Sequence, residues 1–408
     1  MAEWSMMPHE LLDEISDHLD ARSDVVRFRS VCSTWRSAVP PGRRLLPPRF
    51  PILPNEGIAD FTLGFCLSKR SVYLLSVPHY PPGQVDPHRR GSSWLIKVKE
   101  DVPNRMALLN PLSRVESGPF PNNFPRVLDT SKIRVSELAS EFVMQYMTYP
   151  HLARDPVSNG LNIYMEKVVF MGLNCTEFVV LTIHVSGKLA VYKSGDKRWS
   201  IIGDMPSPYD DVILFKDKFF AVDGTGRTVN VGLDLKLTEV AGPTFGGDKK
   251  FLVESLGELL LADMYLTVYA DYEGPVDVEP DEFNSIVTER TVKFKVYKLD
   301  LKEKKWVEVR ELGDRVLFLG EDCTFSASSS DLKACKGNCI FFTGEFYYSN
   351  GDDDGIFQGH DIGVFDMGTG RIGPLDDYIG YSELFWPPPE WITSRTAEVE
   401  GQLELLAL

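Results

Sequence analysis

Three features of the 408-residue sequence predict a mainly β protein with a short helical N-terminal part. Apolar residues recur at helical spacing over the first 39 positions and alternate with polar residues after about position 55. Prolines crowd the stretch between the two parts, and the later part repeats a unit of strand, turn and strand. Because 43% of the residues are apolar, the chain can bury a sizeable core, which excludes wholesale disorder.

The helical part is predicted to start at Pro8, because the first position of a helix tolerates the missing N–H of proline. Ser23 is suited to cap a second helical segment. The apolar residues at helical spacing are Leu11, Leu12, Ile15 and Leu19 in the first segment and Val25, Phe28, Val31, Cys32, Trp35 and Val39 in the second. Prolines at 40, 41, 47, 48, 51 and 54 then end the helical pattern.

The later part carries the signature of strands and tight turns. Residues 292–296 alternate apolar and basic side chains, and residues 212–215 and 219–222 flank a short polar turn that predicts a hairpin. Glycines predict a further hairpin turn near residues 222–229. Residues 133–147 are ambiguous, and a short helix is allowed there.

One unit recurs at residues 189–202, 294–309 and 362–372. It consists of a strand that ends in an aromatic residue, a polar turn and a second strand. Blades of propellers are about 40–50 residues long, so the roughly 340 residues after the prolines divide into six or seven. The predicted architecture is therefore a helical N-terminal part followed by a six- or seven-bladed β-propeller, with a pair of β-sandwiches as the alternative.

Charge and composition limit the function classes. The chain has 43 basic and 59 acidic residues, a net charge of −16, so no nucleic-acid or membrane partner is expected. Its N-terminus lacks the pattern of a signal peptide, and its six cysteines are too irregularly spaced for a disulfide framework. An intracellular protein of the cytoplasm, the nucleus or both is expected.

The N-terminal residues resemble an F-box, in which a Leu-Pro pair precedes a helix and a Val-Cys-x-x-Trp motif follows. Here Met7 and Pro8 stand at the first motif, with methionine for the usual leucine, and Val31, Cys32 and Trp35 form the second. The remainder is similar to the KIB-type (F-box SKIP-like) β-propeller of plant F-box proteins. The segments that carry this likeness are residues 109–114, 336–342 and 386–392.

The resemblance implies four regions: an F-box at 1–40, a proline-rich connector at 41–58, a β-propeller at 59–394 and a tail at 395–408. It also implies that the F-box binds a Skp-type adaptor and so joins a cullin–RING E3 ubiquitin ligase of the SCF type, while the propeller binds an unknown protein substrate. The residues expected to contact the adaptor are Met7, Pro8, Leu11, Leu12, Ile15, Leu19, Val31, Cys32 and Trp35. This chain would be a non-catalytic substrate adaptor for protein ubiquitination.

The short N-terminal helices carry more apolar side chains than they can bury by themselves, which agrees with such an interface. Helices of fewer than 40 residues in total cannot easily bury every apolar side chain in their own core. Some of these side chains are therefore expected to remain outward, available to another protein. The alternative is that they dock on the propeller of the same chain.

Several motifs imitate ligand sites and are interpreted as structural. The GxGxxG pattern at 368–373 precedes Pro374 and no helical pattern, so a hairpin turn is predicted. The acidic stretch 350–361 imitates a calcium loop without flanking helices. Cys323, Cys335, Cys339 and His360 lack the spacing of a zinc site and are expected to be structural. No cofactor, metal or catalytic residue is expected.

One acidic segment is a candidate for substrate binding. Six acidic residues occur between positions 271 and 282 without a basic residue, which suggests either a solvated loop or electrostatic guidance of a basic substrate. The candidates are Asp277, Glu279, Asp281 and Glu282. Two other functions remain open: a propeller enzyme or small-molecule receptor outside ubiquitination, and an F-box protein that directs no degradation.

Overall fold

The helices that the structure describes are few and short. A computed structural model describes residues 4–17, 19, 25, 28–39, 51, 53, 62–77, 93–102, 105–117, 120–125, 133–148, 164–174, 177–271, 286–333, 335–343 and 362–393. The α-helices in this part are α1 (His9–Asp17), α2 (Ser33–Ala38), α3 (Ser329–Leu332) and α4 (Glu390–Thr393), and the 3-10 helices are Trp4–Met6, Leu375–Asp377 and Ser382–Leu384. Within these described residues, no helix has the length and hydrophobicity that crossing a membrane requires.

Strands make up most of the described chain after residue 61. In order they are β1 (Thr62–Ser76), β2 (Ser93–Val102), β3 (Arg105–Leu109), β4 (Arg134–Thr148), β5 (Val168–Gly172), β6 (Phe178–Ile183), β7 (Leu189–Lys193), β8 (Ser200–Ile201), β9 (Tyr209–Phe215), β10 (Lys218–Asp223), β11 (Thr228–Val231), β12 (Leu237–Ala241), β13 (Lys249–Ser255), β14 (Glu258–Asp271), β15 (Ile286–Asp300), β16 (Lys305–Val309), β17 (Arg315–Leu319), β18 (Thr324–Ser328), β19 (Cys339–Thr343), β20 (Ile362–Asp366) and β21 (Arg371–Pro374).

These strands form the units of a β-propeller. Unit 1 comprises β1–β4, unit 2 β5–β8, unit 3 β9–β12, unit 4 β13–β16 and unit 5 β17–β21, and units 1 and 2 join in one sheet through β4 and β5. Among the described strands the pairings are antiparallel, except that β17 and β19 are parallel. The inner strands β4, β5, β9, β13 and β18 contact one another in a closed ring.

The predicted fold class, a helical F-box part followed by a β-propeller, is confirmed. The number of six or seven blades is not confirmed, because the described strands form five units. Three local predictions hold: the hairpin of β9 and β10, the hairpin of β10 and β11, and the hairpin turn between β20 and β21 at the GxGxxG pattern. The short helix allowed at 133–147 is wrong, because β4 pairs with β1 along its length and with β5 near Phe142.

The core lies between the units. Each junction of neighbouring units in the described chain has its own cluster of buried apolar side chains, as expected when twisted sheets pack face to face around an axis. Representative pairs of residues, one from each unit, are Phe65 and Val180 for units 1 and 2, Leu181 and Val212 for units 2 and 3, Val222 and Leu252 for units 3 and 4, Val253 and Leu317 for units 4 and 5, and Phe318 and Val72 for units 5 and 1.

The last described residues hold the ring closed against unit 1. The indole N–H of Trp94 in β2 donates to the carbonyl of Phe385 at 2.7 Å, and the Ser93 hydroxyl donates to the carbonyl of Leu332. Trp391 packs in the apolar cluster that also contains Trp94 and Leu75. The C-terminal tryptophan and proline segment therefore packs on the propeller.

Two neighbouring carboxylates join units 3 and 4. The Lys250 N–H donates to Asp210 at 3.0 Å, and the Leu252 N–H donates to Asp211 at 2.7 Å. Burial raises the pKa of Asp210 from its ordinary value of 3.8 to about 6, because removal of water disfavours the ionised carboxyl and Lys250 offsets this only in part. The native state therefore binds this proton more tightly than the unfolded chain does.

A pH-dependent contribution to stability follows from Asp210. This contribution to stability is complete below pH 3.8 and is lost as pH rises through about 6, so wild type should lose about 2–3 kcal/mol relative to Asp210→Asn over this interval. Urea unfolding of both proteins between pH 4 and pH 7.5 measures the difference. The control variant Glu311→Gln removes an exposed carboxylate, so its unfolding free energy should follow that of wild type across this pH range. If the wild-type and Asp210→Asn curves of unfolding free energy against pH run parallel, the assignment to Asp210 is contradicted.

Candidate protein-binding surfaces

The N-terminal helices build a small core of their own. Helix α1 follows Pro8, whose carbonyl accepts the Leu12 N–H at 3.1 Å, so the proline stands at the helix start as predicted. Leu12 is fully buried and packs with Phe28 and Val39. The rings of Phe28 and Trp35 lie 4.5 Å apart between their centroids. These contacts fix α1 against α2.

Other apolar side chains of this part point to solvent. Leu11, Ile15 and Val31 are exposed by 48%, 38% and 52%, and Pro8 is exposed as well. Leu11 and Ile15 are four residues apart, so they share one face of α1, which is not the face that buries Leu12. The apolar cluster of this region contains N-terminal residues alone among the described residues.

The nine residues predicted to contact an adaptor therefore divide into groups. Four are exposed, Leu12 is buried in the local core, and the others are partly buried. The partly buried residues are Met7, Leu19, Cys32 and Trp35.

Sequence reasoning missed two exposed apolar residues ahead of α1. Trp4 and Met6 are exposed by 63% and 76%, and the carbonyl of Trp4 accepts the Trp35 indole N–H at 2.9 Å. This hydrogen bond ties the segment before α1 to α2. The sequence did contain a signal for them, because three of residues 4–7 are large and apolar although a helix start does not need apolar residues before it. We define the N-terminal apolar surface as Trp4, Met6, Pro8, Leu11, Ile15 and Val31.

The acidic candidates for substrate binding lie outside the described residues: Asp277, Glu279, Asp281 and Glu282. The strands on either side of them are described. β14 and β15 continue past the start of β13 at Lys249, and their last pair is Asp271 with Ile286. The acidic segment is thus attached to the end of unit 4 opposite the turn at Leu256 and Gly257, where β13 passes into β14.

Strands of all five units line a cavity of about 590 Å³, a size typical of ligand sites. Aromatic and aliphatic side chains line much of its wall, including Phe142, Phe170 and Phe325. Polar and charged groups line the rest: Glu141, Lys167, Glu254, Arg315, Asp322, Thr324 and Ser326 are the principal ones. Sequence reasoning did not find this site, because its residues come from six separate strands.

The cysteines considered as zinc ligands are free thiols in the described chain. Burial raises the pKa of the Cys335 thiol to about 12, so it is protonated at neutral pH and a poor metal ligand. No group of three or more His, Cys, Asp or Glu side chains in the described part is arranged to hold a metal ion. His360 and the calcium-like stretch 350–361 lie outside the described residues.

Comparison with known proteins agrees with this architecture. The F-box domain family matches residues 4–40, and the KIB1-4 beta-propeller family matches residues 64–366. F-box protein SKIP23 of Arabidopsis thaliana is 49% identical over 407 residues, which cover 97% of each chain. F-box protein At2g17036 of the same plant is 38% identical and covers 98% of this chain and 97% of its own. The chain belongs to the family of plant F-box proteins that carry a KIB1-4 β-propeller.

Proposed function

We propose that this protein is the substrate-recognition subunit of an SCF-type E3 ubiquitin ligase. Its F-box binds a Skp-type adaptor, which connects it to a cullin and a RING protein, and its propeller binds the protein to be ubiquitinated. The chain itself performs no bond chemistry, and its place of action is the cytoplasm, the nucleus or both. The observation that carries the proposal is the exposed N-terminal apolar surface within an F-box.

The energetics of this surface support adaptor binding. Leu12 and its neighbours already give the helices a core, so the exposure of Leu11 and Ile15 serves no local packing. Burying one such side chain fully contributes roughly 1.5–3 kcal/mol, and partial burial contributes correspondingly less. Several of these residues together offer enough free energy to offset part of the cost of association.

Reconstitution of the complex tests the proposal. The full-length chain is co-expressed with a Skp-type adaptor and analysed by size-exclusion chromatography with light scattering. We expect one stable complex containing both proteins, which adds a cullin and RING protein when these are supplied. Failure of the full chain to bind any Skp-type adaptor would refute the F-box assignment.

Degradation is tested separately from adaptor binding. Proximity labelling in plant cells, with the full chain and with a variant altered on the N-terminal apolar surface, identifies proteins that contact the propeller in both cases. We expect a subset to accumulate in cells that lack the protein. Unchanged lifetimes of every labelled protein would instead indicate an F-box protein that binds its adaptor without directing degradation.

A further inference from the structure

Most ionic groups that line the central cavity have a partner of opposite charge. The Glu141 carboxylate lies 3.0 Å from Lys97 Nζ, Asp322 accepts two hydrogen bonds from Arg114, and Lys167 Nζ lies 2.8 Å from Asp211. These pairs neutralise one another within the wall. Each of these three lining groups therefore has an opposite charge in contact with it.

Arg315 differs from the other cation of the cavity wall. Its guanidinium donates to Ser326 Oγ at 2.6 Å and to Ser255 Oγ at 3.4 Å, and it forms no ion pair with a carboxylate of the described residues. Two neutral hydroxyls orient the group without cancelling its charge. An oriented guanidinium of this kind is suited to bind a carboxylate.

Leu256 stands on the wall of the same cavity in a conformation that leucine rarely adopts. Its φ is +53° and that of Gly257 is +73°, so the turn from β13 to β14 is of the type that favours Asn-Gly. Leu256 is nevertheless apolar and 77% exposed. The corresponding turn of unit 3, from β9 to β10, uses the polar residues Lys216 and Asp217 at φ of +49° and +56°.

The turn geometry therefore does not require leucine. An exposed leucine in a strained backbone conformation costs stability, and such residues are concentrated at functional sites. Arg315 and Leu256 line the cavity with Ser326 and Glu254. Together they present a guanidinium without an ion-pair partner among the described residues, one carboxylate and one apolar surface, next to the aromatic side chains of the wall.

We propose that this part of the cavity binds a segment of the target protein in which a carboxylate side chain lies next to an apolar one. The carboxylate pairs with Arg315, and the apolar side chain packs on Leu256 and the cavity wall. The single guanidinium balances a monoanion better than a dianion, and the Glu254 carboxylate on the same cavity wall adds to the repulsion of a dianion, which favours Asp or Glu. The inference rests on the proposed function, since it assumes that the propeller recognises a substrate.

Peptide selection tests the assignment and needs no identified substrate. Random nonapeptides displayed on phage are selected on the full-length chain bound to a Skp-type adaptor. We expect the recovered sequences to share Asp or Glu beside a large apolar residue. A consensus peptide and its Glu→Gln or Asp→Asn counterpart are then synthesised, and fluorescence anisotropy measures the affinity of each.

The variants Arg315→Gln and Leu256→Asn give opposite signatures. Arg315→Gln should weaken binding of the acidic peptide about tenfold or more and remove its advantage over the amide peptide. Leu256→Asn should weaken both peptides while raising the unfolding temperature by roughly 1–2 °C, because asparagine favours this turn. Two matched controls, Arg310→Gln on the exposed surface and Lys216→Asn in the unit 3 turn, should leave peptide affinity unchanged.

Several results would overturn the inference. They are the absence of selected peptides, equal affinity of the acidic and amide peptides for wild type, and wild-type affinity in both variants. Because the comparison of acidic and amide peptides uses wild type, it holds even where a variant fails to fold. Binding of N-acetyl-leucyl-glutamate without binding of any peptide would also overturn the assignment to a protein segment.

Adaptor binding, measured on the same samples, separates this inference from the proposed function. If the adaptor complex forms but the peptide results are negative, the cavity assignment alone fails. If the full chain binds no adaptor, the ligase role fails. Peptides selected on the chain alone, with the same variants, then test the cavity as a peptide site independent of ubiquitination.

Discussion

A Pro8→Ala, Leu11→Ala and Ile15→Ala variant should lose about 2–3 kcal/mol of binding free energy for a Skp-type adaptor, or roughly 30- to 150-fold in affinity. The three side chains are exposed in the free protein, so their truncation removes surface available to a partner while leaving the buried core of the helices in place. Isothermal titration calorimetry of the full-length variant against the adaptor measures the loss, and circular dichroism monitors the fold.

A triple variant elsewhere on the chain provides the matched control. Leu173, Val185 and Ile379 are also exposed apolar residues, and their replacement by alanine should leave adaptor affinity unchanged. Leu12→Ala is the opposite control, because it removes a fully buried side chain and should destabilise the helices by about 2–5 kcal/mol. Undiminished adaptor binding by the Pro8, Leu11 and Ile15 variant would refute the contact assignment.

The second large effect is expected at a buried ionic cluster in unit 1. Glu141 on β4 lies between Lys97 and Arg70, with N···O distances of 3.0 and 3.7 Å, and all three side chains are almost fully buried. Glu141→Gln keeps the shape and removes the negative charge, so two cations are left in the interior with one polar neutral neighbour. We expect a loss of about 3–5 kcal/mol in the free energy of unfolding.

Urea unfolding followed by tryptophan fluorescence measures this loss. The pair of Lys298 and Glu258 has a similar N···O distance of 3.1 Å, but both side chains are about half exposed. Glu258→Gln should therefore cost less than about 1 kcal/mol, because water already screens this pair. If the two variants lose equal stability, the unit 1 cluster does not act as a buried ionic core.

The sequence predicts the F-box part well because its signals are local. Pro8 before a helix and apolar residues at helical spacing act over one or two turns, and no distant contact overrides them. Residues 133–147 show where local signals fail. Val143 and Met144 follow a run whose spacing also fits a helix, yet pairing with β1 on one side and β5 on the other makes the segment a strand.

The number of blades cannot be obtained from length alone. Division by a repeat period assumes that every unit uses the same amount of chain. In the described residues β1, β4 and β15 each contain 15 residues and β14 contains 14, so units 1 and 4 use more chain per strand than a typical blade. The cavity residues could not be predicted from local sequence either, since Arg315 and Leu256 come together only when units 4 and 5 pack against each other.

Closure of that ring has a consequence for biosynthesis. Trp94 and the carbonyl of Phe385 that accepts its hydrogen bond are 291 positions apart. Nearly the whole polypeptide must therefore emerge from the ribosome before units 1 and 5 can pack together. Because contacts of such large sequence separation form slowly, we expect ring closure to be a late step of folding. The opening helices emerge first and depend on short-range contacts, so the N-terminal apolar surface of a nascent chain is complete before the propeller ring has closed.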